Sequence, residues 1–194
     1  TSVTRTKFSS EAGSTLKITS PDGIVSTSGT VGNVQTTNAP SYNGLATFWY
    51  QGKQNQVTGS GLSTVSSGKL VYVNMDQDNL SLTLTANVNI TNSTALDPLG
   101  GKLEILKGTL IGSNTADFHG TGRLKMSGGE YKISSYFTSN PETTYLPRLQ
   151  NYGNYVLSGG VINLAADQTQ IISGTPNYFG LKFSGSNTLG VNYK

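Results

Sequence analysis

Short strands joined by glycine-containing corners recur along this sequence and constrain its fold more than any other feature. Four segments share the pattern of an alternating stretch, a small-residue corner and a second stretch: residues 102–111, 123–133, 155–164 and 181–189. One such segment cannot bury its apolar side alone, whereas stacked segments bury a continuous column, with glycine fitting the tight corners. The recurrence therefore predicts an all-β chain folded as a parallel β-helix, or β-solenoid.

The spacing of the segments predicts which residues stack. Their first inward residues are taken as Leu103, Leu124, Tyr155 and Leu181, which lie 21, 31 and 26 residues apart. The longest interval is assigned to a loop insertion at residues 139–151. Because parallel strands lie about 4.8 Å apart, residues one coil apart become neighbours. The spacing thus predicts a surface ion pair between Glu104 and Lys125.

A β-sandwich is the alternative architecture. Period-two alternation also occurs at residues 80–84 and 88–90, and sandwich strands alternate in the same way. Sandwiches, however, favour hairpin dipeptides at intervals of about 8–12 residues. Asn43-Gly44 is the single Asn-Gly pair in the sequence, and no window sustains the apolar spacing of a helix. The pattern therefore favours the solenoid.

Composition excludes several classes of function. Only 12% of the residues are charged, the net charge of +3 is spread thinly, and no run of Lys or Arg occurs, so nucleic acid is not an expected partner. No stretch approaches the roughly 18 uninterrupted apolar residues of a membrane span. The chain has no cysteine, which removes disulfides and thiolate metal sites from consideration.

The whole chain, residues 1–194, is interpreted as one solenoid segment of a longer polypeptide. Residues 1–41 are less regular, although Gly13–Ile18 has the pattern of another coil. No basic-then-apolar leader precedes the first strand pattern, and the chain ends at Lys194 within strand-like sequence. The expected partners therefore include neighbouring repeats, or copies of the chain stacked end to end.

Several phrases in residues 42–194 resemble a known family. Tyr42-Asn43-Gly44 followed by Gln56-Val57-Thr58-Gly59 is similar to a recurring element of giant repetitive surface proteins of Bacteroidota. The alternating stretch 80–90 and the turn 101–110 follow in the family's order. A second family phrase resembles residues 167–174 and then 178–181.

The resemblance implies a secreted, extracellular protein of the cell surface. Members of this family form repeat regions, are often exported by the type IX secretion system, and are in some cases adhesins. The expected function is that of a structural or adhesive repeat segment in a large surface protein or fibre, without catalysis.

Catalytic side chains are scarce. The single histidine, His119, lies near Asp117 but has no second His or Cys for a metal site, so we interpret it as a solvent-facing corner residue. The ten acidic residues are dispersed along the chain. A polysaccharide lyase or hydrolase needs converging carboxylates, and it is kept as the less favoured alternative.

A calcium site is a weak candidate at Asp76 and Asp78. The stretch Asp76-Gln77-Asp78-Asn79 resembles the beginning of a calcium loop, but the glycine and the distal glutamate of that pattern are missing. A polar turn between strands is the favoured interpretation. No other cofactor is expected.

Tyrosines around the insertion at 139–151 form the candidate ligand site. Tyr136, Tyr145, Tyr152 and Tyr155 flank this excursion, and exposed aromatic rings commonly bind sugars. They predict a carbohydrate-binding module as an alternative function, with cell-surface or environmental glycans as partners. The competing interpretation places aromatic residues inside the column, as the alternation of Phe48 and Tyr50 indicates.

Overall fold

The fold is a parallel β-solenoid. A computed structural model describes residues 7–65, 69–91, 100–135, 145–149, 155–168, 170–172, 176–185 and 192–193, with only the backbone at 145–146 and 192–193. Each circuit of the chain contributes strands to up to three faces, called A, B and C. The helical part of the described chain is the single-turn helix α1 (Ser60–Ser63).

Faces A and B share one curled sheet of ten strands. Face A consists of β1 (Thr15–Ile18), β2 (Thr47–Tyr50), β4 (Leu70–Asn74), β7 (Lys102–Lys107) and the first halves of β10 (Arg123–Ile133) and β12 (Tyr155–Leu164). Face B consists of β3 (Gln56–Val57), β5 (Ser81–Thr83), β8 (Thr109–Gly112), the second halves of β10 and β12, and β14 (Leu181–Phe183).

Face C is built from two smaller ladders. The first pairs β6 (Val88–Asn89) with β9 (Phe118–His119). The second contains β11 (Tyr145–Leu146), β13 (Ile171–Ile172) and β15 (Asn192–Tyr193). A parallel bridge between Gly120 and Leu149 links the two ladders.

Parallel pairing settles the choice between solenoid and sandwich. Every pair of named strands in the described chain is parallel. The antiparallel contacts among the described residues are isolated bridges at Gly29–Thr36 and Ser113–Ala116. Because a sandwich is made of antiparallel sheets, the predicted all-β solenoid is confirmed.

The core is a column of inward side chains taken from successive coils. On face A, Phe48, Val71, Leu103 and Leu124 occupy one register position, and all four are at most 1% exposed. Tyr50 is likewise buried, as its alternation with Phe48 predicted. Each such side chain contributes about 1.5–3 kcal/mol through burial, before conformational entropy is subtracted. The column therefore holds the coils together along the whole stack.

Glycines line the corner between faces A and B. Gly108, Gly129 and Gly160 have φ values of +86°, +67° and +77°. A Cβ added at Gly129 would lie 2.6 Å from the carbonyl oxygen of Gly108, and one at Gly180 would lie 2.7 Å from that of Gly160. Adjacent coils thus approach so closely at this corner that only glycine fits.

The predicted equivalence of the four segments is correct for three and wrong for the fourth. Leu103, Leu124 and Tyr155 are partners in consecutive strands of face A. Leu181, however, pairs with Ile162 on face B. The glycine that continues the A–B corner is therefore Gly180, which precedes the strand, and not Gly185. The misassignment arose because both faces alternate in the same way and both are bordered by glycine.

The less regular N-terminal part contains one coil of the solenoid and a residue, Asn33, that bonds to the free side of its strand. Residues 15–18 form β1, which pairs in parallel with β2, as the pattern of 13–18 predicted. On the free side of β1, the Asn33 side chain accepts hydrogen bonds from the Thr19 and Ser20 amides at 2.9 and 3.3 Å and donates to the Lys17 carbonyl at 3.1 Å. Asn33 thereby satisfies backbone groups that an edge strand leaves open.

Of the expected loop insertion at 139–151, the structure describes residues 145–149, and the remainder lies outside the described residues. Tyr145–Leu146 forms β11 of face C, and Leu149 is completely buried in the core. The long interval in the repeat therefore includes the third side of a regular coil.

Among the described residues, no helix is long and apolar enough to cross a bilayer.

Candidate functional site

The predicted tyrosine site cannot be assembled from the described residues. Tyr136 and Tyr152 lie outside them, and Tyr145 is described by its backbone in β11. Tyr155 is partly buried in face A, and its hydroxyl donates to the carbonyls of Pro147 and Leu149. That contact ties residues 147–149 to the next coil, so Tyr155 has a clear packing role.

Aromatic rings on the outer side of face A stack on one another. The rings of Trp49 and Tyr72 lie 4.8 Å apart and 11° from parallel. The Lys102 ammonium lies 4.7 Å from the centre of the Tyr72 ring. These contacts cover the Tyr72 ring and one face of the Trp49 ring, so this ladder of side chains stabilises adjacent coils.

The predicted contact between Glu104 and Lys125 is present, with an additional partner. Lys125 and Lys102 each place their ammonium 2.7 Å from a Glu104 carboxylate oxygen. The Glu104 side chain is only 6% exposed, so the expected surface pair is in fact a covered one. Burial alone would raise the pKa of Glu104, but the hydrogen bonds from both lysines hold it below its ordinary value.

Asp117 is directed into the protein and has a structural role. Its carboxylate accepts hydrogen bonds from the Tyr131 hydroxyl at 2.5 Å and the Ser135 hydroxyl at 2.7 Å, and Arg148 Nε lies 3.8 Å away. Burial raises the pKa of Asp117, although these hydrogen bonds oppose the effect. His119 lies in β9 and is half-buried, and the described contacts of Asp117 do not include it.

Lys69 is a buried lysine that the sequence analysis did not identify. It is 1% exposed, and its ammonium donates to the Asn89 carbonyl at 2.5 Å. Burial lowers its pKa to about 8. Among the described residues, the partner of its ammonium is a backbone carbonyl of another coil, so Lys69 is interpreted as a packing residue that links two coils.

The calcium candidates do not form a metal cluster in the described part of the chain. No group of three His, Cys, Asp or Glu side chains there is close enough to hold a metal ion. Asp76 and Asp78 are both exposed. Asp76, however, lines a cleft on the surface of the described chain.

This cleft lies where face A turns toward face B and encloses about 620 Å³. Its polar lining comes from four successive coils: Thr19 from the first, Gln51, Lys53 and Gln54 from the second, Asn74 and Asp76 from the third, and Lys107 from the fourth. The buried Met75 contributes apolar surface. Backbone hydrogen bonds join these coils, from the Asp76 amide to the Gly52 carbonyl at 3.0 Å and from the Met75 amide to the Lys107 carbonyl at 3.1 Å. The cleft is therefore held open by the ladder itself.

The side chains of the cleft keep unused hydrogen-bonding groups. Within the described residues, the side-chain amides of Gln51, Gln54 and Asn74 form no intramolecular hydrogen bond, and the Lys53 ammonium and Asp76 carboxylate have no side-chain partner. Lys107 donates to the Asp76 backbone carbonyl at 2.6 Å. By contrast, the side-chain amides of Asn33 and Gln56 form hydrogen bonds through both their oxygen and their nitrogen. The cleft can therefore offer donors and acceptors to a polar ligand.

A buried glutamine forms the wall behind the cleft. Gln56 is 2% exposed, accepts a hydrogen bond from the Gly52 amide at 2.8 Å, and donates to the carbonyls of Ile18 at 3.3 Å and Ser20 at 2.7 Å. It fixes the turn that carries Lys53 and Gln54.

The same hydrogen-bond arrangement recurs at Gln170, in the turn between face B and face C. This side chain accepts from the Ala166 amide at 3.1 Å and donates to the carbonyls of Ile133 at 2.9 Å and Ser135 at 2.6 Å. The two corners share the sequence Gln-x-Gln followed by Val or Ile. That recurrence in the sequence is a signal for a repeated structural element, in addition to the family resemblance of the two segments.

The register that brings Gln51, Asn74 and Lys107 together could not be obtained from motifs. Side-chain amides, an ammonium group and one carboxylate in a cleft of this size suit the recognition of hydroxyl-rich molecules.

No protein-family model, no curated protein and no solved structure matches the chain.

Proposed function

We propose that the chain is a structural and adhesive segment of a secreted bacterial cell-surface protein. The observation that carries the proposal is the continuous parallel ladder of face A, which runs from β1 to β12 over one column of buried side chains. Such a stack is stiff and presents its outer faces at fixed spacing. The resemblance of residues 42–194 to surface repeats of Bacteroidota supports the extracellular location and export by the type IX system.

The proposed partners include neighbouring repeats. β14 pairs with β12 on one side, and its Phe183 continues the position of Leu164 yet is 47% exposed. Phe179, next to the A–B corner, is 69% exposed. Apolar surface beside a strand edge that pairs with no further strand in the described residues supports the stacking of more repeats there.

A carbohydrate-binding module is the second candidate, and the polar cleft favours it. The proposal is of binding without catalysis, because glycoside hydrolysis ordinarily uses two carboxylates, and Asp76 is the acidic residue found among the described residues that line the cleft. A lyase or hydrolase therefore has less support than a binding protein.

Adhesion under flow tests the proposal. Beads coated with the chain should be retained on surfaces bearing bacterial or plant polysaccharides at least about fivefold better than beads coated with the same chain after denaturation, because many weak contacts act together. No new reducing ends or unsaturated products should appear in the polysaccharide. Equal retention of both kinds of bead, or steady depolymerisation by the folded chain, would contradict the proposed function.

A further inference from the structure

We infer that the cleft between faces A and B is a binding site for an anionic polysaccharide. The inference rests on the proposed adhesive function and narrows its ligand class. It begins from hydrogen-bonding capacity: the side chains of Gln51, Gln54 and Asn74 are left unpaired at one place in the described chain, next to the free carboxylate of Asp76. Amide and carboxylate groups together recognise adjacent hydroxyls, which carry both donors and acceptors.

The charge of the cleft selects an anionic ligand. Lys53 and Lys107 line it together with one carboxylate, that of Asp76. The outer side of face A, which leads into the cleft, adds Lys17, Lys102, Arg123 and Lys125, and Glu104 is the acidic residue among these register positions. The net charge of cleft and face together is about four positive, on a protein whose total is +3.

The shape of this surface fits an extended polymer better than an isolated sugar. Lys17 lies on β1, while Lys102, Arg123 and Lys125 lie on β7 and β10. The Trp49 and Tyr72 rings occupy the two strands between them, and neighbouring strands lie about 4.8 Å apart. The volume of about 620 Å³ lies in the range of small-ligand sites, with room for roughly two sugar rings. One segment of the polysaccharide would occupy the cleft, while flanking anionic groups lie along face A.

Preorganisation distinguishes the cleft from an ordinary lysine-bearing surface. The turn that carries Lys53 and Gln54 is fixed from behind by the buried Gln56. Lys107 is held by its hydrogen bond to the Asp76 carbonyl. Little backbone freedom is lost on binding, which favours affinity.

Titration of the purified chain with polygalacturonate, dextran sulfate and uncharged dextran tests the inference. The two anionic polymers should bind with an affinity that falls as NaCl is raised, and dextran should bind at least about tenfold more weakly. The variant K53Q/Q54A, which removes two exposed side chains without intramolecular bonds, should lose about tenfold in affinity for polygalacturonate at unchanged thermal stability.

The matched control is K132Q/K182Q, which removes two positive charges from the outer side of face B. It should change the affinity less than about threefold. Equal losses in the two variants, equal binding of dextran, or absence of binding would overturn the inference. If beads still adhere to surfaces while K53Q/Q54A binds and adheres like the parent chain, the cleft assignment fails and the adhesive function stands. If beads coated with the unmodified chain do not adhere, both the cleft assignment and the proposed adhesive function fail.

Discussion

Replacing Gln56 by leucine is expected to lower the free energy of unfolding by about 3–5 kcal/mol, one of the largest effects available in this chain. Leucine keeps most of the volume but leaves the Gly52 amide unpaired in a site that is 2% exposed. It also removes one hydrogen bond from each of the carbonyls of Ile18 and Ser20, which still accept from the Gln51 and Gly23 amides. A buried backbone group left unpaired costs about 1–3 kcal/mol, and each of the two other lost hydrogen bonds costs about 0.5–1.5 kcal/mol. Urea denaturation of the purified variant measures the loss.

Gln54 provides the control for this substitution. It is exposed and lies two residues away on the same turn, so Q54A should change stability by less than about 0.5 kcal/mol. The variant Q170L should behave like Q56L, because Gln170 forms the same three kinds of hydrogen bond. A loss below about 1 kcal/mol in Q56L would show that water or a shifted turn replaces the glutamine.

The second large effect is expected at the glycine corner. Alanine at Gly160 would place its Cβ 2.4 Å from the Gly128 carbonyl oxygen and 2.7 Å from that of Gly129, on a backbone with φ of +77°. The left-handed conformation alone costs about 1–2 kcal/mol, and the clash between coils must be relieved by moving the backbone. We expect a total loss of about 3 kcal/mol or more.

Gly13 separates the two contributions. Its φ of +75° is nearly the same, but nothing lies within 4 Å of the added Cβ. G13A should therefore cost only the conformational part, about 1 kcal/mol. If thermal and urea denaturation give the same loss for G13A and G160A, the close approach of coils at the A–B corner is not real.

Strands and corners could be predicted from sequence because their causes are local. Alternation at Phe48 and Tyr50 marks the inward positions, and the glycines at 108, 129 and 160 mark the corners, since each depends on the residue and its neighbours. The contact of Glu104 with Lys125 followed from the spacing alone. The burial of Glu104 did not, because it depends on how Lys102, two residues away on the same strand, and Tyr72, the register partner on β4, pack around the carboxylate.

Register was the main quantity that the pattern could not supply. Leu181 was assigned to face A because strands on both faces alternate identically and both follow a small-residue corner. The role of Asn33 at the free edge of β1 could not be predicted either. Asn33 is one polar residue in a polar stretch, and its three hydrogen bonds are made to residues 17–20. Such contacts depend on how coils are placed, which a single sequence with uneven intervals leaves open.

The candidate site also depends on the register of the coils, which the sequence pattern does not supply. The predicted site consisted of the tyrosines at 136, 145, 152 and 155, because aromatic rings stand out in a sequence rich in Ser, Thr and Asn. The cleft depends instead on Gln51, Asn74 and Lys107, which are ordinary residues until parallel stacking brings them together. Their chemical significance lies in what remains unpaired, and pairing is a property of the folded chain.

The stacking of parallel coils in one register is central to both the scaffold and the cleft, and engineered disulfides test it most directly. The chain has no cysteine, and Ser81 is the register partner of Thr109 on the outer side of face B. Parallel neighbours lie about 4.8 Å apart, within the range that a disulfide spans, whereas partners shifted by two residues lie beyond about 7 Å. Oxidised S81C/T109C should therefore form an intramolecular disulfide, seen by mass and by gel mobility, while S81C/I111C should keep free thiols. Equal crosslinking of the two variants, or crosslinking of only the shifted one, would contradict the solenoid register.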